Sequence, residues 1–280
     1  MRFAINVPNF GAYSDGRALA ELAREAEAAG WDGLFLWDHM GADWPASTAD
    51  PWVLLAAMAM TTQRIRLGTL VTPLPRRRPW KLARETVTLD RLSEGRLILG
   101  VGIGSDFARE YSAFGEAADD KLHGAMLDEA LAVLVGLWSG EPFSYTGQHY
   151  TVREARFQPT PSQTPRIPIW VAGVWPNKAP FRRAARWDGV VPLGRGDQTM
   201  KPDEIRAMLA FTRDLRASAE PLDVAIAGYT GHLEAAAATA LLDEYAEAGL
   251  TWWQEGFLPG DTLDDARRRI HAGPPRTSRG

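Results

Sequence analysis

The chain has 280 residues, of which 45% are apolar and 24% charged, and its formal net charge is -4 at pH 7. The absence of cysteine excludes thiol nucleophiles, iron–sulfur clusters and cysteine-ligated zinc. The acidic balance argues against a nucleic-acid partner, and no run of about 18 apolar residues is present to span a membrane. The opening residues, MRFAINVPNF, lack the pattern of a secretory signal, so we expect a cytoplasmic protein.

Short apolar runs alternate with helical patterns along the whole chain, which predicts βα units around a parallel sheet. Several of the runs are continuously apolar, as expected for strands that helices cover on both faces. The eight strand candidates are Phe3 to Val7, Gly33 to Trp37, Ile65 to Val71, Arg96 to Val101, Ile167 to Ala172, Gly189 to Leu193, Val224 to Ala227 and Thr251 to Glu255.

Helical spacing of apolar residues occurs between these runs. It predicts helices over Arg17 to Ala29, Pro79 to Leu92 and Leu122 to Trp138, with two more beginning near Pro202 and near Glu234. Eight strand–helix pairs favour a closed (β/α)8 TIM barrel over an open doubly wound sheet. We therefore predict an α/β fold in which residues 1–280 form a single barrel domain.

Two segments depart from the alternation. Residues 141–166 contain a hairpin-like pattern followed by a proline-rich extended stretch, and we expect them to be an insertion between strands four and five. Residues 272–280 carry no apolar pattern, so we expect the C-terminal tail to be frayed.

Residues that follow the strands are the first candidates for chemistry, because active sites of such barrels lie at the carboxyl ends of the strands. Asp38 and His39 follow strand two, and a histidine there suits proton transfer near neutral pH. The alternative is that His39 only caps the strand end with a hydrogen bond. Trp44 either forms a wall for a flat ligand or packs a loop.

Glycines near three strand ends suggest close approach of a ligand to the backbone. Gly68 interrupts strand three, which indicates either a bulge or tight packing inside the barrel. Gly102 and Gly104 precede a helix and suit an anion or a flat ring, although they do not complete a dinucleotide fingerprint. The turn from Gly173 to Lys178 leads into another helix, whose N-terminus either holds a phosphate or is an ordinary cap.

Other catalytic classes have little support in the sequence. The five histidines are scattered without ligand spacing, so we expect no metal site. No Gly-x-Ser-x-Gly motif is present to indicate a serine hydrolase. The remaining interpretation is a barrel mouth that binds an anionic, planar ligand.

Long ordered segments of the chain resemble the bacterial luciferase-like superfamily of flavin- and deazaflavin-dependent (β/α)8-barrel oxidoreductases and monooxygenases. The most specific parts are LGTLVTPLPRRRPWKLARETVTLDRLSEGRLILGVGIG, over Leu67 to Gly104, and IPIWVAG with RRAARWDGVVP, within Ile167 to Pro192. GLWSGEPFSYTGQHY is similar to the family's insertion region. The resemblance covers nearly the whole chain.

The resemblance implies a cofactor ring over the barrel mouth, against a bulge on strand three. Many members have a non-proline cis peptide there, which corresponds to the step from Leu70 to Val71. The family holds the cofactor phosphate with backbone after strand five and lines the cofactor tail with the strand-four loop. The implied cofactor-binding residues are Thr69, Leu70, Val71, Gly102, Gly104, Gly173, Val174 and Trp175.

Asp38 and His39 match an Asp-His pair found in many members that use coenzyme F420. The resemblance therefore favours F420 over FMN and hydride transfer to or from a small organic substrate. His39 is then the proton donor or acceptor, and Asp38 orients it. Some deazaflavin dehydrogenases of the family place a glutamate after the strand-four glycines, where this chain has Ser105 and Asp106. This departure argues against a sugar-phosphate dehydrogenase.

Two other functions stay open on the sequence. One is an FMN-dependent monooxygenase that receives reduced flavin from a partner reductase, and the other is a flavin-binding protein without turnover. The family commonly forms homodimers through the helices after strands two and three. An exposed Trp52 or Trp80 would fit such an interface.

Overall fold

The computed structural model describes residues 1–43, 46–196, 198–257 and 261–278, so Trp44 lies outside the described residues. Eight parallel strands close into a barrel, which confirms the predicted fold class. Two further strands, β5 and β6, form a separate antiparallel pair. The strands are Arg2–Val7 (β1), Gly33–Leu36 (β2), Arg66–Pro73 (β3), Leu97–Gly102 (β4), Phe143–Thr146 (β5), Thr151–Ala155 (β6), Ile169–Val174 (β7), Gly189–Leu193 (β8), Asp223–Gly228 (β9) and Trp252–Glu255 (β10).

The barrel strands are neighbours in chain order, and β10 pairs with β1 to close the ring. Since β5 and β6 stay outside the barrel, β4 pairs directly with β7. The carboxyl ends of β2, β3, β4 and β7 therefore form one continuous arc of the rim. This arc carries every predicted catalytic and cofactor-binding residue.

Helices surround the barrel and cover its outer face. Their starts are defined by side-chain caps in several places, as where the Asp15 carboxylate accepts hydrogen bonds from the backbone N–H groups of Arg17 and Ala18. The helices are Gly16–Ala28 (α1), Pro51–Thr61 (α2), Pro79–Leu92 (α3), Asp120–Trp138 (α4), Lys178–Ala184 (α5), Pro202–Asp214 (α6), Ala235–Glu247 (α7) and Leu263–His271 (α8).

Two apolar cores stabilise the fold, one inside the barrel and one between the strands and the helices. The rings of Phe35, Trp170 and Trp252 fill the barrel, and the centroids of the two tryptophan rings are 5.4 Å apart. The barrel strands approach so closely that a Cβ atom on Gly68 would lie 1.9 Å from the carbonyl oxygen of Ile98. Tight packing against β4 therefore explains the glycine within β3.

The strand-three bulge is present where the family resemblance implies it. The pairing of β3 with β4 shifts its register between Thr69 and Thr72. The intervening peptide bond from Leu70 to Val71 is cis. Val71 is partly exposed at this point, whereas Leu70 packs into the core inside the barrel.

The C-terminal tail contacts α7. The backbone N–H of Ser278 donates a hydrogen bond to the Asp243 carboxylate at 2.9 Å. Within the described part of the chain, no helix is both long and apolar enough to cross a membrane.

Candidate active site

Asp38, directly after β2, is fully buried in a cluster of charged side chains. Nη2 of Arg77 donates to both carboxylate oxygens at 2.8 Å, and Nη2 of Arg76 lies 3.3 Å from one of them. The Thr72 hydroxyl also donates to the carboxylate at 2.9 Å. Burial lowers the pKa of Arg77, but the neighbouring Asp38 charge outweighs it and raises this pKa above its ordinary value.

Arg76 connects the loops that follow three successive strands. It lies just after β3, and its Nη2 donates to the backbone carbonyl of Asp38 at 2.5 Å. Its Nη1 donates at 2.5 Å to Glu110, which lies in the loop between β4 and α4. Both ionic side chains are nearly buried, with 5% of Arg76 and 3% of Glu110 exposed. A buried pair of this kind holds its loops in one arrangement because an unpaired charge there is costly.

Glu110 also holds the ring of His39. Its Oε1 lies 3.0 Å from Nδ1 of His39 and accepts a hydrogen bond from the backbone N–H of Met40 at 2.8 Å. Burial alone would raise the pKa of Glu110, but the hydrogen bond from His39 and the Arg76 charge hold it below its ordinary value. An ionised carboxylate only accepts, so Nδ1 of His39 carries a proton and donates it to Glu110.

The backbone of His39 is fixed from the neighbouring strand. Asn9, after β1, accepts a hydrogen bond from the His39 N–H at 3.1 Å and donates one to the His39 carbonyl at 2.9 Å. The rings of Phe10 and Trp37 meet the imidazole edge-on. His39 nevertheless keeps 34% of its side chain exposed at the rim. It is therefore a rigidly held histidine that a ligand can reach.

The predicted pair of Asp38 and His39 lies at the barrel mouth, but the two side chains have different partners. The arginines engage the Asp38 carboxylate, and Glu110 makes the contact with the imidazole that we expected from Asp38. Glu110 was missed in the sequence because the comparison with the family directed attention to Ser105 and Asp106. Asp106 instead accepts hydrogen bonds from the backbone N–H groups of Tyr111 and Ser112, and so it shapes the loop.

The predicted cofactor residues on β3 and β4 lie side by side. Gly102 is buried, and a Cβ atom there would lie 2.9 Å from Cγ2 of the partly exposed Val71, so only glycine lets β3 and β4 pack this closely. Thr69, which precedes the cis peptide, is buried, with its hydroxyl 2.9 Å from that of Thr72. Gly104 has a φ of +74°, a conformation that favours glycine.

The predicted residues at the end of β7 have packing roles of their own. A Cβ atom on Gly173 would lie 2.2 Å from Cβ of Pro180, because α5 packs closely on this strand. The ammonium group of Lys178 lies 3.6 Å from the centre of the Trp175 ring. The backbone N–H of Trp175 pairs with the Leu193 carbonyl, and Val174 accepts a hydrogen bond from Asn177. Phosphate binding by this turn stays a prediction.

Comparisons with known proteins point to one family. A family model described as luciferase-like monooxygenase matches residues 1–274. An F420-dependent glucose-6-phosphate dehydrogenase of Mycolicibacterium fortuitum is 32% identical over 74% of this chain and 62% of that protein. The oxygenase component of a flavin-dependent trigonelline monooxygenase from Acinetobacter baylyi is 29% identical over 65% of this chain and 50% of that protein.

A solved structure shares the fold. An F420-dependent secondary alcohol dehydrogenase, in complex with an F420–acetone adduct, superposes with a TM-score of 0.79. The alignment covers 96% of this chain and 96% of that one, at 18% sequence identity.

We predict that replacing Glu110 by glutamine destabilises the protein in a pH-dependent way. Because folding lowers the pKa of Glu110, its ionised carboxylate stabilises the fold at pH values above the ordinary glutamate pKa of 4.5. This contribution is lost as the pH falls through the folded-state pKa of Glu110. At neutral pH, urea unfolding should show Glu110→Gln less stable than the wild type by roughly 1–3 kcal/mol. The difference should shrink as the pH falls below 4.5.

Glu116→Gln is the matched control because Glu116 lies in the same loop and is exposed. The free energy of unfolding of Glu116→Gln should equal that of the wild type over the same pH range. A Glu110→Gln variant as stable as the wild type at neutral pH would contradict the structural role of this carboxylate.

Proposed function

Since the chain belongs to the luciferase-like monooxygenase family, we propose that it is an oxidoreductase that transfers a hydride between coenzyme F420 and a small organic substrate. His39 donates or accepts the proton that accompanies the hydride. Glu110 orients His39, and Asp38 orders the two arginines behind it. The cofactor supplies the hydride chemistry when bound, and the protein supplies position and electrostatics.

The observation that carries this proposal is the hydrogen bond between Glu110 and Nδ1 of His39 at the barrel mouth. A carboxylate that fixes one ring nitrogen of a partly exposed histidine prepares the other nitrogen for general acid or base chemistry. The pairing of Glu110 with Arg76 keeps the carboxylate ionised and in place. Arg76 and Glu110 are thus positioning residues, and His39 is the group that contacts the reactants.

The rim residues fit a flat cofactor ring. Val71 and Ala172 are partly exposed, and a Cβ atom on the buried Gly102 would lie 2.9 Å from Val71 and 3.8 Å from Ala172, so the two side chains form an apolar patch across the ends of β3, β4 and β7. The proposed contacts to the cofactor come from the bulge of β3, from the end of β4 and its loop, and from the end of β7. These residues are Thr69, Leu70, Val71, Gly102, Gly104, Gly173, Val174 and Trp175.

F420 is our choice of cofactor because the Asp-His pair after β2 matches the F420-dependent members. The similarity to an F420-dependent glucose-6-phosphate dehydrogenase supports this choice. The substrate is a small organic molecule, and the departure at Ser105 and Asp106 argues against a sugar phosphate.

A second candidate has its own support in the similarity to a flavin-dependent oxygenase component. In that function the chain uses FMN reduced by a partner reductase and consumes oxygen. Oxygen uptake with enzymatically reduced FMN would favour it over the F420 oxidoreductase. A flavin-binding protein without turnover would bind cofactor but show neither hydride transfer with F420 nor oxygen uptake with reduced FMN.

The outer face of α2 supports a homodimer. Val53 and Met60 on this helix are 70% and 69% exposed, and with Ala56 and Ala57 they form one apolar stripe at helical spacing. Trp52 is buried and so cannot contribute as we expected, whereas the neighbouring α3 presents Trp80 with 39% of its surface exposed.

We predict that Met60→Glu combined with Val53→Glu dissociates the dimer, because charged groups on both sides would face each other across the interface. Light scattering should give twice the chain mass for the wild type and the single-chain mass of 30.8 kDa for the variant. Leu215→Glu, at another exposed apolar residue, should remain dimeric. A wild-type protein that is monomeric at all concentrations would contradict this interface.

We predict that His39→Ala abolishes turnover without abolishing cofactor binding. Loss of a proton donor lowers kcat by about 100- to 10,000-fold, while the ring-binding residues of β3 and β4 stay intact. The measurement is the oxidation of reduced F420 by a panel of small aldehydes, ketones and enones, monitored through the absorbance of the deazaflavin. F420 binding is titrated separately.

His232→Ala is the control, since His232 is an exposed histidine outside the proposed site. It should match the wild type in both assays. A His39→Ala enzyme with wild-type kcat would contradict the assigned role of the imidazole.

A further inference from the structure

The alternation of side chains along the barrel strands locates the residues that face the mouth. Val191 of β8 and Ala225 of β9 belong to the core inside the barrel. Side chains two residues apart on a strand point to the same side of the sheet. Leu193 and Ala227 therefore also point to the inner side, one level closer to the mouth.

The inner face of β9 is open at this level. Ala227 is exposed, although its neighbours along the strand, Ile226 and Gly228, are buried. Gly228 faces outward, because a Cβ atom there would lie 2.2 Å from the ring of Trp253 in the core between strands and helices. Ala227 pairs in register with Gln254 of β10. Its exposed surface thus lies within the ring of strands, which a small molecule reaches more readily than the surface of a protein partner.

Two large exposed side chains lie beside Ala227. Leu193, the last residue of β8, is 49% exposed, and Tyr229, directly after β9, is 38% exposed. Tyr229 continues the inner side of its strand, and its ring leans over the end of β10, where a Cβ atom on Gly256 would lie 2.9 Å from Cε1 of the ring. Since β8 is opposite β2 in the ring of eight strands, Leu193 lies across the mouth from His39.

The polar side chains on the inner face of β1 and β10 are turned towards each other. Asn6 and Gln254 are 7% and 1% exposed, and Nδ2 of Asn6 donates to Oε1 of Gln254 at 2.6 Å. Nε1 of Trp37, directly after β2, donates to Oδ1 of Asn6 at 2.7 Å. Both amides are therefore too buried to recognise a ligand.

The charged side chains behind His39 neutralise one another. The two carboxylates and two arginines of this cluster pair together and are mostly buried. Arg195 is exposed, but it lies two residues beyond Leu193 and outside β8. An anionic group placed against Leu193 would lose hydration without gaining a partner there, which costs free energy.

We propose that the substrate of this site is an uncharged, mainly apolar molecule that lies between His39 and a wall formed by Leu193, Ala227 and Tyr229. The inference rests on the proposed function, because it takes the barrel mouth as the place where a substrate meets His39. It adds the class of the substrate and the residues that select it. The proposed cofactor contacts come from β3, β4 and β7, so β8 and β9 are left to the substrate.

The test compares two eight-carbon molecules that differ in charge, 2-octanone and octanoate. Each is titrated by calorimetry into the full-length protein at neutral pH without cofactor, so the measurement does not require turnover. We expect 2-octanone to bind one-to-one. Octanoate should bind about tenfold more weakly, because its ionised carboxylate would lose water against an apolar wall.

Variants of the wall test where the ketone binds. Leu193→Asn and Tyr229→Ala should each weaken the binding of 2-octanone about fivefold to tenfold, because each removes apolar contact area. Leu215→Asn is the matched control, since Leu215 is 48% exposed and caps the C-terminal end of α6. It should bind 2-octanone like the wild type. Both wall residues are exposed, so their variants should fold normally, which circular dichroism checks.

Three results would overturn the proposal: no binding of 2-octanone, equal affinity for octanoate, or unchanged affinity of both wall variants for the ketone. The proposed function fails separately. If 2-octanone binds as expected but no ketone oxidises reduced F420, the function is wrong and the wall remains a binding site for an apolar molecule. If reduced F420 is oxidised with a higher kcat/KM by carboxylate-bearing ketones than by neutral ones, the function stands and the substrate class is wrong.

Discussion

The pairing of two buried carboxylates with two arginines determines how the barrel mouth is organised. Asp38 and Glu110 would be costly to bury alone, and Arg76 and Arg77 neutralise them through short hydrogen bonds. The four side chains come from the loops after β2, β3 and β4, so one ionic cluster fixes three loops at once. The position of His39 follows from this constraint, because its ring is held by a member of the cluster.

The fold was largely predictable because each part of the barrel has a strong local signal. Continuous apolar runs located the eight barrel strands to within a few residues, and α3 has the predicted bounds. The helix α2 gave no periodic signal because its sequence, PWVLLAAMAM, is apolar on every face. In the structure, one of these faces is an exposed apolar stripe that contains Val53 and Met60. The helix α8 was missed because it is short and highly charged.

The site was only partly predictable, and the reason is sequence separation. Asp38 and His39 could be found because they follow a recognisable strand, and the family resemblance indicated the cis peptide after Leu70. Glu110 is 71 residues from His39 and lies in a loop without periodicity, so only the folded chain reveals their contact.

We propose that this barrel mouth binds a deazaflavin cofactor beside His39. The experiment is a pair of parallel equilibrium titrations of the wild-type protein, one with F420 and one with FMN. Binding is monitored through tryptophan fluorescence. We expect F420 to bind about tenfold more tightly than FMN, a difference of about 1.4 kcal/mol in binding free energy. Tighter binding of FMN, or no binding of either, would contradict it.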